Sequence, residues 1–233
     1  MTTIISNNQI ASDIYVLTAE GDYQGEMGQF YMLRGWDQFP ILSRPISIHD
    51  IGEGYISFLY RVVGQGTELL SRLKPGDSIG LEGPYGNGFP IIQGKVALVG
   101  GGMGTAPLYY AAKQLANADA YLGFSYEAFG VEEFREATGQ TKVNVGGYIV
   151  EDFDPAGYEA VFTCGPLPMM RALSAKLQGT STKLYVSLEK RMACGIGACL
   201  VCSCATVNGN RKACTDGPVF LAEEVDMDDL NSH

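Results

Sequence analysis

The feature that most restricts how this chain can fold is a group of four cysteines toward its C-terminus. Cys194, Cys199, Cys202 and Cys214 follow the order C-x4-C-x2-C, with the fourth twelve residues on, inside RMACGIGACLVCSCATVNGNRKAC. Thiolates that must converge from so short a stretch need a tight loop, and the spacing is that of plant-type 2Fe-2S ligands. Gly195 and Gly197 supply the backbone freedom for the wrap, and Ala193, Ala198 and Ser203 are small enough to let amide N–H groups approach the cluster sulfurs. Such a cluster moves one electron at a time, so the question becomes where electrons enter and leave. Two alternatives stay open on the residues alone. Structural zinc prefers two separated C-x2-C pairs, and here only Cys199 and Cys202 form one. Cys204 could replace Cys202 at the expense of the spacing, or be a small buried neighbour. Disulfides are not expected, because MTTIISNNQIASD has neither a basic n-region nor an apolar h-region to suggest export.

With 46% hydrophobic and 18% charged residues and no apolar run long enough to span a bilayer, the chain reads as a cytoplasmic protein without a membrane partner. A formal net charge of -10 without clustered Lys and Arg argues against nucleic acid. Part of that charge lies in LAEEVDMDDL, which reads as a solvated end. Three regions are expected. Residues 1–92 alternate short β-like runs (DIYVLTAE, GQFYMLRG, RPISIHD, GYISFLYRVV, DSIGLEGP) with Gly, Pro and Asp turns, the pattern of an antiparallel barrel or sandwich. Residues 93–185 place KVALVG, a glycine turn, the helical LYYAAKQLANA, then AYLGFSY and EAVFTCGP in an order that implies a parallel α/β sheet. Residues 186–233 hold the cysteines and the acidic tail.

In the turn after KVALVG, Gly100, Gly101, Gly102 and Gly104 would let backbone amides approach a diphosphate at a helix N-terminus. A strict G-x-G-x-x-G is not met, since Thr105 stands where glycine would be needed. Any tight strand-to-helix turn favours glycine, so this motif alone leaves nucleotide binding open. Glu127, after AYLGFSY, could accept from a ribose 2'-hydroxyl and would repel a 2'-phosphate, which favours NADH over NADPH.

Arg44-Pro45-Ile46-Ser47, Gly66-Thr67, Gly102-Met103-Gly104-Thr105-Ala106-Pro107 and Cys164-Gly165-Pro166 occur in an order that resembles the ferredoxin reductase superfamily. With the cysteine module added, the chain is similar over nearly all its length to the electron transfer subunits of type B dihydroorotate dehydrogenases. The resemblance implies α/β plus all-β architecture: an N-terminal antiparallel β-barrel holding FAD, a Rossmann-like parallel α/β domain for NAD(H), and a small C-terminal 2Fe-2S module. It implies that Arg44 pairs with the FAD diphosphate, that Pro45 and Ile46 line the flavin, and that Ser47 sits near flavin N5. Leu59, Tyr60 and Arg61 match a flavin-contacting strand, while Gly66 and Thr67 would offer amides and a hydroxyl to the diphosphate. Gly100, Gly102, Gly104 and Thr105 would receive the pyridine nucleotide, and Gly165 and Pro166 would meet the nicotinamide. Ser47 and Cys164 are the candidate catalytic groups. Against these stand plainer roles: a surface ion pair for Arg44, a core aromatic for Tyr60, a buried small hydrophobe for Cys164. The region from about Ala128 to Val150 looks abridged beside the family pattern, which weakens the expectation of tight NADH binding.

The implied partner is an FMN-containing dihydroorotate dehydrogenase catalytic subunit, two of each chain forming a heterotetramer in pyrimidine (UMP) synthesis. Electrons would run from dihydroorotate through FMN, cluster and FAD to NAD+. Leu200 and Val201 would then either face that partner or pack inward. The same wiring serves NADH-dependent ferredoxin:NADP+ oxidoreductase and sulfide dehydrogenase complexes. A redox-sensing module without turnover is a further reading, and a free-standing flavin reductase would need no cluster.

Overall fold

The computed structural model describes residues 1–227. Apolar residues at every second position give the N-terminal strands one buried face each. These are β1 (Thr2–Ala11), β2 (Ile14–Glu20), β3 (Phe30–Arg34), β4 (Arg44–Ser47), β5 (Asp50–Gly52), β6 (Tyr55–Arg61) and β7 (Ser78–Tyr85), with one helix, α1 (Gln65–Ser71), before β7. They form a seven-stranded antiparallel sheet in the order β4-β3-β7-β1-β2-β6-β5. Contact between β4 and β6 curls it toward closure. Ile4, Leu17, Leu33, Ile56, Phe58 and Ile79 fill the inside, none exposing more than 1% of its surface. β1 escapes a reading by alternation because of its polar run Ser6–Gln9, yet part of that run is structural. The Asn7 amide donates to the carbonyls of Leu70 and Leu73 at 2.8 and 3.0 Å, satisfying the C-terminal turn of α1.

The second unit comprises β8 (Val96–Gly101), a 3-10 turn (Gly102–Thr105) leading into α2 (Ala106–Gln114), β9 (Ala118–Phe124), α3 (Val131–Ala137), β10 (Thr141–Val145), α4 (Ile149–Asp152), β11 (Ala160–Cys164), α5 (Leu167–Leu177) and β12 (Lys183–Ser187). The strands run parallel in the order β10-β9-β8-β11-β12. Every residue of β8 and β11 is buried, as a parallel sheet covered on both faces requires. The stretch expected to be abridged contains a complete helix and strand, with β10 paired to β9 from Thr141 opposite Ala120 to Val145 opposite Phe124.

The chain then leaves this sheet, forms the cysteine loop and a hairpin of β13 (Ser203–Thr206) and β14 (Gly209–Lys212), and returns as β15 (Val219–Leu221), antiparallel to β12. The expected boundary between 185 and 186 therefore cuts through β12, and the cysteine module is an insertion between two neighbouring strands. The charges of the tail are solvated as expected, with Glu223, Glu224 and Asp226 exposed, but the segment is not a loose end. Leu221 belongs to β15, Val225 is 7% exposed, and the amides of Val207 and Asp226 donate to the carbonyls of Glu224 and Ala205, which ties the segment to the hairpin. The rest of that stretch, Asp228 onward, lies outside the described residues. One apolar core joins barrel and α/β unit, with Phe89 stacked on Phe162 at 4.5 Å between ring centroids. No helix among the described residues is long and apolar enough to cross a membrane.

Candidate functional site

The four cysteines arrive as two pairs. Cys202 and Cys214, 2% and 1% exposed, pack beside Phe30 and Met32 of the barrel, their sulfurs 3.2 Å apart. Cys194 and Cys199 form a second pair nearer the surface. The Cys199 amide, the Ile196 amide and the Cys199 thiol hydrogen-bond the Cys194 sulfur and bring its pKa down to about 6. Burial, aided by the neighbouring Cys202, pushes Cys214 up to about 11, while the Gly197 amide donates to its sulfur at 3.2 Å and pulls the other way. Two thiol pairs with amides turned on the sulfurs suit two irons sharing four cysteines, and fit a single tetrahedral zinc poorly. Gly195, at φ +73°, lies over Met32 of β3, so close that a Cβ would approach its Cγ to 3.1 Å. Cys204 turns away: its thiol donates to the Arg211 carbonyl at 3.4 Å and it packs with the core of the α/β unit. The open question of Leu200 and Val201 resolves outward, since they expose 63% and 53%, with Ile196 beside them at 61%.

On the barrel, Arg44 opens β4 half-buried, its guanidinium over the Trp36 ring and its Nη1 donating to the Leu42 carbonyl at 2.6 Å. Gly66 lies beneath it, and a Cβ there would stand 2.3 Å from Arg44 Nε, so a side chain at this position would displace the guanidinium from its place. Pro45, Ile46 and Ser47 follow, all half-buried, and the Ser47 hydroxyl has no hydrogen-bond partner among the described residues. Two expectations change. Tyr60 exposes 1% and Leu59 3%, and the Tyr60 hydroxyl donates to Asn7 at 3.1 Å, so these side chains serve the barrel core and only Arg61 of that triplet is exposed. The Thr67 hydroxyl is also taken: it accepts from the amides of Val63 and Gly64 and donates to the Gly64 carbonyl, fastening the start of α1.

At the carboxyl ends of the parallel strands the glycines divide by role. A Cβ at Gly104 would come within 2.1 Å of the Cys164 carbonyl oxygen, and one at Gly165 (φ +142°) within 2.9 Å of the Gly101 amide, so these two let adjacent loops touch. Gly100 packs against Thr105 and Leu108, and the Thr105 hydroxyl donates to the Gly102 carbonyl at 2.9 Å. Gly102, at φ +54°, faces open space. Pro166 leads into α5, and Glu127 is exposed just past β9.

Cys164 ends β11 buried, 2% exposed, and burial raises its thiol pKa well above the usual value, which keeps it neutral. The thiol reaches Glu189 Oε1 at 3.9 Å. Glu189 is exposed as a residue, but its carboxyl end is crowded by protein atoms. That crowding raises its pKa, while the thiol's hydrogen bond and the charge of Arg61 pull it down. None of the motifs contains Glu189. It hydrogen-bonds Cys164 of the α/β unit at the start of the cysteine module and feels the charge of Arg61 of the barrel, and its signal in the sequence is an acidic residue between an apolar strand and the cysteines.

Residues 189–226 match the sequence profile described as the iron-sulfur cluster binding domain of dihydroorotate dehydrogenase B. The dihydroorotate dehydrogenase B (NAD(+)) electron transfer subunit of Clostridium acetobutylicum is 46% identical over 238 residues, covering 97% of this chain and 96% of the relative. The subunit of the same name from Clostridium perfringens is 39% identical, covering 95% of each. Among solved structures, one of an NADH-dependent reduced ferredoxin-NADP oxidoreductase, described in terms of flavin-based electron bifurcation, superimposes with a TM-score of 0.90 at 29% identity, covering 100% of this chain and 92% of the other. The Amycolatopsis cytochrome P450 reductase GcoB shares the fold over 78% of this chain and 69% of its own, at a TM-score of 0.64 and 20% identity.

Proposed function

The chain belongs to the family of dihydroorotate dehydrogenase B (NAD(+)) electron transfer subunits, and from that premise we propose that it carries electrons between NAD+ and a dihydroorotate dehydrogenase catalytic subunit, using FAD and a 2Fe-2S cluster bound by Cys194, Cys199, Cys202 and Cys214. The observation that supports this reading is the seating of the cysteine loop on β3 of the barrel, with Gly195 over Met32 and Cys202 and Cys214 packed beside Phe30 and Met32. A flavin exchanges a hydride's electron pair with nicotinamide and single electrons with a cluster, which is what joins the two chemistries.

The protein's own part is placement. Arg44 would hold the FAD diphosphate, and the Ser47 hydroxyl, unpartnered among the described residues, would be free to bond the flavin. Cys164, neutral and buried, would border the nicotinamide, and Glu189 beside it accepts the thiol's hydrogen bond and so orients it. Gly102 leaves room for a diphosphate and Glu127 accepts from the ribose. Ile196, Leu200 and Val201 form an apolar rim about the exposed Cys199, which suits burial against the FMN-bearing catalytic subunit in a cytoplasmic heterotetramer of two chains each. A second reading, the equivalent subunit of an NADH-dependent ferredoxin-NADP oxidoreductase, is favoured by the fold match alone.

The test is an anaerobic visible spectrum of the purified chain with iron, sulfide and FAD quantified, before and after NADH. About two irons and one FAD per chain, both bleached by NADH, are expected. Cys199→Ser should lose the cluster bands and keep FAD; a full cluster spectrum in that variant would overturn the ligand assignment. Reoxidation by orotate in the presence of the catalytic subunit, and not by NADP+ with ferredoxin, separates the two readings.

A further inference from the structure

Arg44 is held on three sides, and one of those sides has no counterpart in any motif. Its Nη1 is fixed by the Leu42 carbonyl at 2.6 Å, its Nε and Nη2 edge lies over Gly66, and its plane faces Trp36 with Cζ 5.5 Å from the ring centroid. Trp36 is itself anchored. Its indole N–H donates to the Pro40 carbonyl, and Arg34 packs over the same ring at 5.7 Å. Arg34 in turn closes the loop between β3 and β4, donating from Nε to the Trp36 carbonyl at 3.1 Å, from Nη2 to Asp37 and Gln38 at 2.8 and 3.2 Å, and from Nη1 to Ile41. A single arginine thereby gathers the carbonyls of a nine-residue excursion into a platform for one indole, and the indole supports a second arginine.

We propose that Trp36 is a positioning residue for FAD: it holds the Arg44 guanidinium so that the Nε and Nη2 edge, which has no partner among the described residues, points where the diphosphate binds. The inference rests on the reading of Arg44 as the diphosphate ligand. A free arginine side chain has many rotamers and would lose their entropy on gripping a phosphate. Here that ordering is present beforehand, through a cation–π contact on one face and a carbonyl at one nitrogen, so less is lost on binding. Trp36 touches neither flavin nor phosphate in this scheme and acts only through Arg44.

Trp36 is the only tryptophan in the chain, so its emission reports on this one place. The complete chain, stripped of FAD, is titrated with FAD and with ADP, a diphosphate that carries no flavin to quench the indole by energy transfer. Trp36→Leu should weaken FAD binding about three- to tenfold, the range of a lost cation–π support, and Trp36→Phe should recover most of it. In the unsubstituted chain the Trp36 emission should shift on ADP addition, and in Arg44→Ala it should not. Were Arg44→Ala to bind FAD unchanged, the diphosphate reading itself would fall. If Arg44→Ala loses FAD while Trp36→Leu binds it as well as the parent chain, or if ADP displaces bound FAD without moving the indole emission of the stripped chain, the positioning role alone is wrong. Should Trp36→Leu not fold, Trp36→Phe and the emission of the parent chain still decide.

Discussion

At the scale of single residues, two glycines only two positions apart behave oppositely. A Cβ at Gly104 meets a backbone carbonyl at 2.1 Å, which no side-chain rotation relieves, whereas one at Gly102 meets nothing within 4 Å. Gly104→Ala should therefore destabilise the chain by about 2–3 kcal/mol in chemical denaturation, the upper range for an overpacked site. Gly102→Ala should cost only the ~1 kcal/mol of placing a side chain at positive φ; equal losses in the two variants would refute this division. Sequence presents the two as members of one motif, and what separates them is a contact with Cys164, sixty residues away along the chain. The same limit explains Tyr60 and Thr67, whose letters fit a flavin motif while their side chains serve the barrel and the start of α1. The cysteine spacing was legible because ligand type and interval are covalent facts of the chain, and so was the outward or inward ambiguity of Leu200, which only packing could resolve.

At the scale of elements, the joint between barrel and α/β unit is made by the β4–β5 turn against α2. His49 is 4% exposed and its Nδ1 donates to the Ala106 carbonyl at 3.1 Å, the sense that a carbonyl partner imposes. Asp50 next to it accepts from Lys113 at 2.7 Å and from Tyr55 at 2.7 Å, and the Tyr109 ring lies 4.9 Å from the imidazole. Burial lowers the His49 pKa, the Ala106 carbonyl and Asp50 oppose this, and Lys113 reinforces it. The unfolded chain thus takes up a proton near pH 6.5 that the folded chain refuses, so this contribution to stability is complete above that pH and lost as pH falls below it. The unfolding temperature of the parent chain should drop more steeply between about pH 7 and pH 5.5 than that of His49→Gln, and parallel profiles would show His49 titrating freely. Alternating strands such as β2, β6 and β7 were readable from the sequence. β1 was hidden by the polar residues that cap α1, and β15 by being three residues long.

For the whole molecule, the order of barrel, nucleotide unit and cysteine module could be read along the chain, but not the return of the chain to the parallel sheet. That return makes β15, not β12, the sheet's outer strand. A chain ended at Ser187 would leave the full hydrogen-bonding edge of β12 open and should self-associate in size-exclusion chromatography. A chain with residues 190–216 replaced by a short Gly-Ser linker keeps β15 and should elute as the parent chain does. Equal behaviour of the two would mean that β15 contributes nothing to covering that edge. The consequence reaches into biosynthesis. On the ribosome the strand that completes the parallel sheet emerges only after the last cysteine, so the nucleotide unit cannot finish its own edge before the whole cysteine loop has been made.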